Sequence, residues 1–378
     1  MRLITSLIAI LAIHGFAFPA TIDVPDNFPA IQDAIGAAVN GDEIIVRPGI
    51  YQENIDFLNK AITVKSEHGP DVTTIHGMSH EFSVVAFKGG EGRDSVLDGF
   101  AITNSRSSGI VCISSSPTIL YNHVFDCDDS NSGYYYRGGG GIHCQESGSK
   151  ISRNIISSCY GIRGGGGGIY ASDSEGLEIS ENYICDNEVT AGWSTGGGVY
   201  CSGGWFIISN NIISRNWSSW DGYYYTDGAG GGLSLSGGSS SGDLAVVSGN
   251  EISYNQSVQG GGVALGRDVT LSDNDIFGNF ADVAGGGICY GSSSIILNNR
   301  ICENSARYGG GLGNDLWKAR SDSDLAVIEG NIISHNDAAL GGGISSGMNG
   351  FAAVNNVIFK NKRHLQKHGQ RGRWDLEF

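Results

Sequence analysis

Apolar and polar residues alternate in short runs along most of this chain. In Val263-Ala264-Leu265, Val269-Thr270-Leu271-Ser272 and Asp275-Ile276-Phe277 the period is two, which predicts β-strands. Glycine, serine and asparagine break every run, and the repeats contain no sustained helical pattern. The runs are ordered by a motif, Asn-x-(Ile/Val)-x-x-(Asn/Cys), that begins at Asn122, Asn154, Asn182, Asn211, Asn250, Asn274, Asn299, Asn331 and Asn356. Between consecutive motifs stands a Gly-Gly-Gly block, ending at Gly141, Gly168, Gly198, Gly232, Gly262, Gly287, Gly311 and Gly343. Units this closely spaced mark a solenoid, in which no repeat buries its own apolar face and each must stack on its neighbours. Three short strands per turn fit the unit, giving a single-stranded parallel β-helix whose equivalent residues stack at about 4.8 Å.

The expected ladders can be read off. After each glycine block comes Ile142, Ile169, Val199, Leu233, Val263, Ile288, Leu312 or Ile344, an aliphatic column for the interior. The last motif position runs Cys127, Cys159, Asn187, Asn216, Asn255, Asn279, Asn304, Asn336 and Asn361, a hydrogen-bonded side-chain ladder. The glycines are read as corners with positive φ and close coil-to-coil approach. They are not read as a nucleotide loop, since no Lys-Ser/Thr and helix follow. Aligning the coils pairs Arg153 with Glu181, Asp186 with Arg215, and Asp275 with Arg300 on outward columns.

Two segments depart from the repeat. Phe28 to Val39 has apolar residues at helical spacing and predicts a helix that caps the first coil, within a capping segment of about residues 21–46. Residues 362–378 read as an irregular basic tail after a β-helix spanning residues 18–361. Met1 to Ala17 has Arg2, an apolar run and small residues, the pattern of an export signal too short to span a membrane. It predicts a secreted or cell-surface protein with no transmembrane segment in the mature chain.

A formal net charge of −16 argues against nucleic acid as a partner. The eight cysteines follow the repeat, with Cys112 over Cys144 and Cys127 over Cys159, which leaves both disulfides and stacked free thiols open. No Cys-x-x-Cys or nearby His cluster suggests zinc, and no metal ligands are assigned.

The runs Ile44-Ile45-Val46-Arg47-Pro48-Gly49-Ile50-Tyr51 and Leu97-Asp98-Gly99-Phe100-Ala101-Ile102, with the later Gly-Gly-Gly-Ile and Asn-x-Ile-x-x-Asn units, resemble secreted bacterial right-handed parallel β-helix proteins of the pectin-lyase-like superfamily. The resemblance spans roughly residues 21–361 and implies the fold. It implies no single function, because the superfamily includes lyases, hydrolases, tail-spike depolymerases and adhesins.

A lyase on this scaffold needs a cation or basic group and a positioned proton acceptor, and a glycosidase needs carboxylates on adjacent coils. The nearest candidates are Asp126, Asp128 and Asp129 beside Arg137 and Arg163; calcium would enter only with a lyase. The turns between the motif and the glycine block are lengthened in four neighbouring coils, after Cys127, Cys159, Asn187 and Asn216, most of all after the first and last, and they carry aromatics. These are Tyr134, Tyr135, Tyr136, Trp193, Trp217, Trp220, Tyr223, Tyr224 and Tyr225, candidates for binding polysaccharide or cell-surface glycan. The leading expectation is a monomeric exported scaffold that binds an extended glycan through these turns. The alternatives are a polysaccharide lyase or hydrolase on the same surface and a cell-surface adhesin.

Overall fold

The computed structural model describes residues 19–78, 82–129, 138–162, 165–190, 195–219, 229–238, 245–291, 293–314, 325–346 and 351–363. They form an all-β parallel solenoid whose strands assemble into sheets of 13, 11, 12 and 8 strands. From Lys150 onward each coil contributes in chain order to sheet A (as Lys150–Ser152), sheet B (Ile155–Ser157), sheet D (Tyr160–Ile162) and sheet C (Ile169–Ser172).

The fourth of these corrects the expected three strands per turn. Sheet D runs from Tyr160–Ile162 to Lys362–Arg363 and uses residues directly after the Asn motif. Those residues alternate too briefly to read as strands, and they become strands because the next coil offers backbone partners in register. Lys362–Arg363 also corrects the start of the supposed irregular tail, and residues 364–378 lie outside the described chain, as does the expected export signal.

The aliphatic column behaves as expected. Ile142, Ile169, Val199, Leu233, Val263, Ile288 and Leu312 are all 0% exposed and pair in register. Ile344, the last of the column, pairs with Leu312 but is only partly buried, and in sheet B Ile358, in register with the fully buried Ile333, is 51% exposed, because no described rung covers it.

Two asparagine ladders close the corners on either side of sheet B. In the second, the Asn279 Oδ1 accepts from the backbone N–H and Nδ2 of Asn255 at 2.9 and 3.1 Å. Its own Nδ2 donates to Ile252 O at 2.8 Å and to Asn304 Oδ1 at 3.0 Å. Every polar valence of a buried amide is thereby used, which is the condition for keeping it in a core.

The helix spans Ile31–Ala37, shorter than the apolar spacing suggests, and buries Ile31, Ala34 and Ile35. The Glu53 carboxylate accepts from the N–H groups of Ile31 and Gln32 at 2.9 Å each, satisfying donors at the helix start. The flanking Thr21–Val24 and Glu43–Val46 are the first two strands of sheet A, so the capping segment is partly coil. The three aligned charge pairs form at 2.7 Å and are half-exposed, so each contributes at most about 1 kcal/mol. All eight cysteines are free and buried, and Cys112 and Cys144 are in register; burial and the Cys144 thiol push Cys112 well above the ordinary thiol range. Cys112, Cys127, Cys144, Cys159 and Cys201 belong to the hydrophobic core.

Candidate ligand-binding face

The residue immediately after each Asn motif forms an outward column on sheet D. It reads Asp128, Tyr160, Glu188, Trp217, Gln256, Phe280, Ser305, Asp337 and Lys362, each in register with the next. The column lies on the glycine blocks. A Cβ on Gly140 would meet Tyr160 O at 2.5 Å, one on Gly167 the Glu188 O at 2.7 Å, one on Gly197 the Trp217 carbonyl carbon at 2.6 Å, and one on Gly231 the Gln256 O at 2.5 Å. Coil contact this close excludes any side chain. The first glycine of most blocks also needs a positive φ, as at Gly196 (67°) and Gly230 (74°).

Trp217 is the exposed centre of the column at 42%, with Glu188 one rung to one side and Gln256 one rung to the other. Glu188 is partly buried, and desolvation raises its carboxyl pKa. The Tyr160 hydroxyl is hydrogen-bonded to the Thr190 hydroxyl, fixing the ring beside Glu188. Of the binding residues expected from sequence only Trp217 falls among the described residues. Tyr134, Tyr135, Tyr136, Trp193, Trp220, Tyr223, Tyr224 and Tyr225 lie outside them, as do Arg137 and Arg163.

The three aspartates expected to cluster occupy three different environments. Asp126 is exposed at a positive-φ corner (49°), Asp128 joins the sheet D column, and Asp129 is 1% exposed with its carboxylate against Gly138. Adjacent sequence positions diverge here because the chain turns a corner and then enters a strand. Among the described residues no group of three or more His, Cys, Asp or Glu is arranged to hold a metal ion.

Across the glycine corner, sheet C carries a second column, pointing away from the interior, that the sequence reading missed: His143, Tyr170, Tyr200 and Ser234, of which Tyr170 and Ser234 are buried. His143 meets Tyr170 edge-on at 5.1 Å, and Tyr170 stacks on Tyr200 at 5.3 Å. Beside them Gln145, Ser172, Ser202 and Ser236 stack in register. Burial, with the Lys88 ammonium adding to it, holds the His143 imidazole down at about 4. Its Nε2 is buried with no hydrogen-bond partner among the described residues, a setting that disfavours the charged ring.

A depressed histidine pKa fixes the sign of a pH effect. The unfolded chain takes up a proton near pH 6.5 that the folded chain refuses, so stability is intact above that pH and falls as pH drops from about 6.5 towards 4. The loss should reach roughly 3 kcal/mol at most. Urea midpoints of the protein and of His143→Gln across this range check it, since the variant should show a shallower decline.

Signals for both columns were present in the repeat, at the position after the motif and the position after the aliphatic residue. They have no fixed residue type, and so they do not announce themselves as motifs.

Residues 140–299 match the family model described as the right handed beta helix region. Among solved structures the chain is similar to the A-module of the mannuronan C-5 epimerase AlgE4 of Azotobacter vinelandii, with 18% identity and a TM-score of 0.57, covering 89% of this chain and 92% of that one. It is also similar to an alginate lyase from Paenibacillus sp. str. FPU-7, with 13% identity and a TM-score of 0.42, covering 90% of this chain and 99% of that one. At that lower score the lyase adds nothing to the fold assignment. No curated protein sequence matches the chain. Because the registers of residues 140–299 continue through the coils on both sides, the protein is a right-handed parallel β-helix.

Proposed function

We propose that this protein binds an extended polysaccharide along the sheet D column, with Trp217 as the platform for a sugar ring. The observation that carries the reading is the exposed Trp217 held in register between Glu188 and Gln256. An indole face covers the apolar C–H side of a sugar ring, and flanking carboxylate and amide groups bond its hydroxyls. The rungs repeat about every 4.8 Å, which suits a polymer better than a single small molecule. The AlgE4 module is part of a mannuronan C-5 epimerase, which is consistent with a role for this scaffold on polysaccharide.

Trp217→Ala tests the reading. The column is backbone-paired on both sides, so the variant should keep its melting temperature within a few degrees. Retention on a polysaccharide panel should fall by about tenfold or more, the scale of losing one stacked ring. Unchanged retention by a folded variant would remove Trp217 from the site. Reducing-end or unsaturated product during the same incubations would favour an enzyme over a binding scaffold.

A further inference from the structure

We infer that the sheet D column takes a neutral polysaccharide and turns acidic polymers away. This rests on the glycan reading above and deepens it by naming the class of ligand.

Along the column the charged groups are Asp128, Glu188 and Asp337, and the single cation, Lys362, stands at the far end. From Asp128 through Tyr160, Glu188, Trp217 and Gln256 to Phe280, the stretch that holds the rings, the column itself contributes negative charge alone. Guanidinium groups at the neighbouring corner are already committed. Arg215 donates to both carboxylate oxygens of Asp186 at 2.8 and 2.7 Å and to the Tyr183 hydroxyl at 3.1 Å. Arg300 is held likewise by Asp275 at 2.7 Å. Exposed Asp126 adds another negative group at that corner, and the chain as a whole carries −16.

A uronate lying on the Trp217 ring would bring its carboxylate to within about one rung, ~4.8 Å, of Glu188. Like charges at about 4 Å weaken binding roughly fivefold even in water, and more where Glu188 is partly desolvated. A neutral sugar meets the opposite balance. Its hydroxyls donate to the carboxylate in charge-assisted bonds, and the Gln256 amide both donates and accepts.

The test uses the full chain in binding titrations and affinity gels at low ionic strength with EDTA, so that no divalent cation bridges the carboxylates. One set of polymers is neutral (β-glucan, galactan, dextran) and the other is polymannuronate and polygalacturonate. At least one neutral polymer should bind, and the polyuronates should bind about tenfold more weakly or worse. Glu188→Gln should raise polyuronate binding about fivefold while leaving the thermal melt in place. Polyuronate binding as tight as the best neutral polymer, or indifferent to Glu188→Gln, overturns the charge inference and leaves the glycan reading standing. That result would direct attention to Arg163, which follows the strand Tyr160–Ile162 directly. Binding to no polymer of either set overturns the glycan reading itself.

Discussion

Gly197→Ala will lower both the stability of the solenoid and its retention on glycan, although it adds one methyl group. The new Cβ would stand 2.5 Å from Gly231 O, 2.6 Å from the Trp217 carbonyl carbon and 2.7 Å from Trp217 N. All three are backbone atoms, so no side-chain rotation relieves the contact. The coil must part from its neighbour or sheet D must move outward. Overpacking of a close-packed interior costs about 1–3 kcal/mol where side chains can adjust. Here about 3 kcal/mol or more is expected, read as a lower urea midpoint. Since the displaced backbone is that of Trp217, the ring platform moves with it. Gly197→Ala should therefore lose stability and binding together, whereas Trp217→Ala loses binding alone. Gly36→Ala is the control. Its Cβ meets nothing within 4 Å, it lies in the helix Ile31–Ala37, and alanine there should stabilise by about 1 kcal/mol or slightly less. A Gly197→Ala protein as stable as the parent would mean that the coils are not in contact at this corner.

Asn279→Ala should cost about 4 kcal/mol, from one small buried side chain. The asparagine is 1% exposed and serves three coils. Its loss removes the acceptor of the Asn255 N–H and Nδ2 and the amide donor that satisfies Ile252 O. Each buried polar group left without a partner costs about 1–3 kcal/mol, and water cannot enter a column this tightly stacked. Asn279→Asp should be no better, because it keeps the acceptor, deletes both donors and puts a charge in the core. Chemical denaturation of the two variants checks this. A cost below about 1 kcal/mol would mean that the ladder contributes no more than an exposed turn.

Legibility in the sequence followed how strictly geometry restricts residue type. The interior column, the asparagine ladder, the glycine corners and the three ion pairs were readable because each place accepts few side chains. Only an aliphatic residue fills the interior at Val263, only an amide satisfies both neighbours at Asn279, and only glycine fits under Trp217 at Gly197. The columns that face outward accept many residues. Asp128, Tyr160, Glu188, Trp217 and Gln256 share a place and not a chemistry, so no motif reveals that they stand together.

The sequence by itself determined that this protein is a parallel solenoid and which residues stack inside it, since periodicity and steric exclusion act rung by rung. Tertiary structure decided that a fourth sheet exists, that Asp126, Asp128 and Asp129 part company, and that Trp217 lies between an acid and an amide. The physical reason is that a strand after a corner is defined by the coil it pairs with. A short run gains its backbone hydrogen bonds, its register and its outward direction from residues about one full turn away.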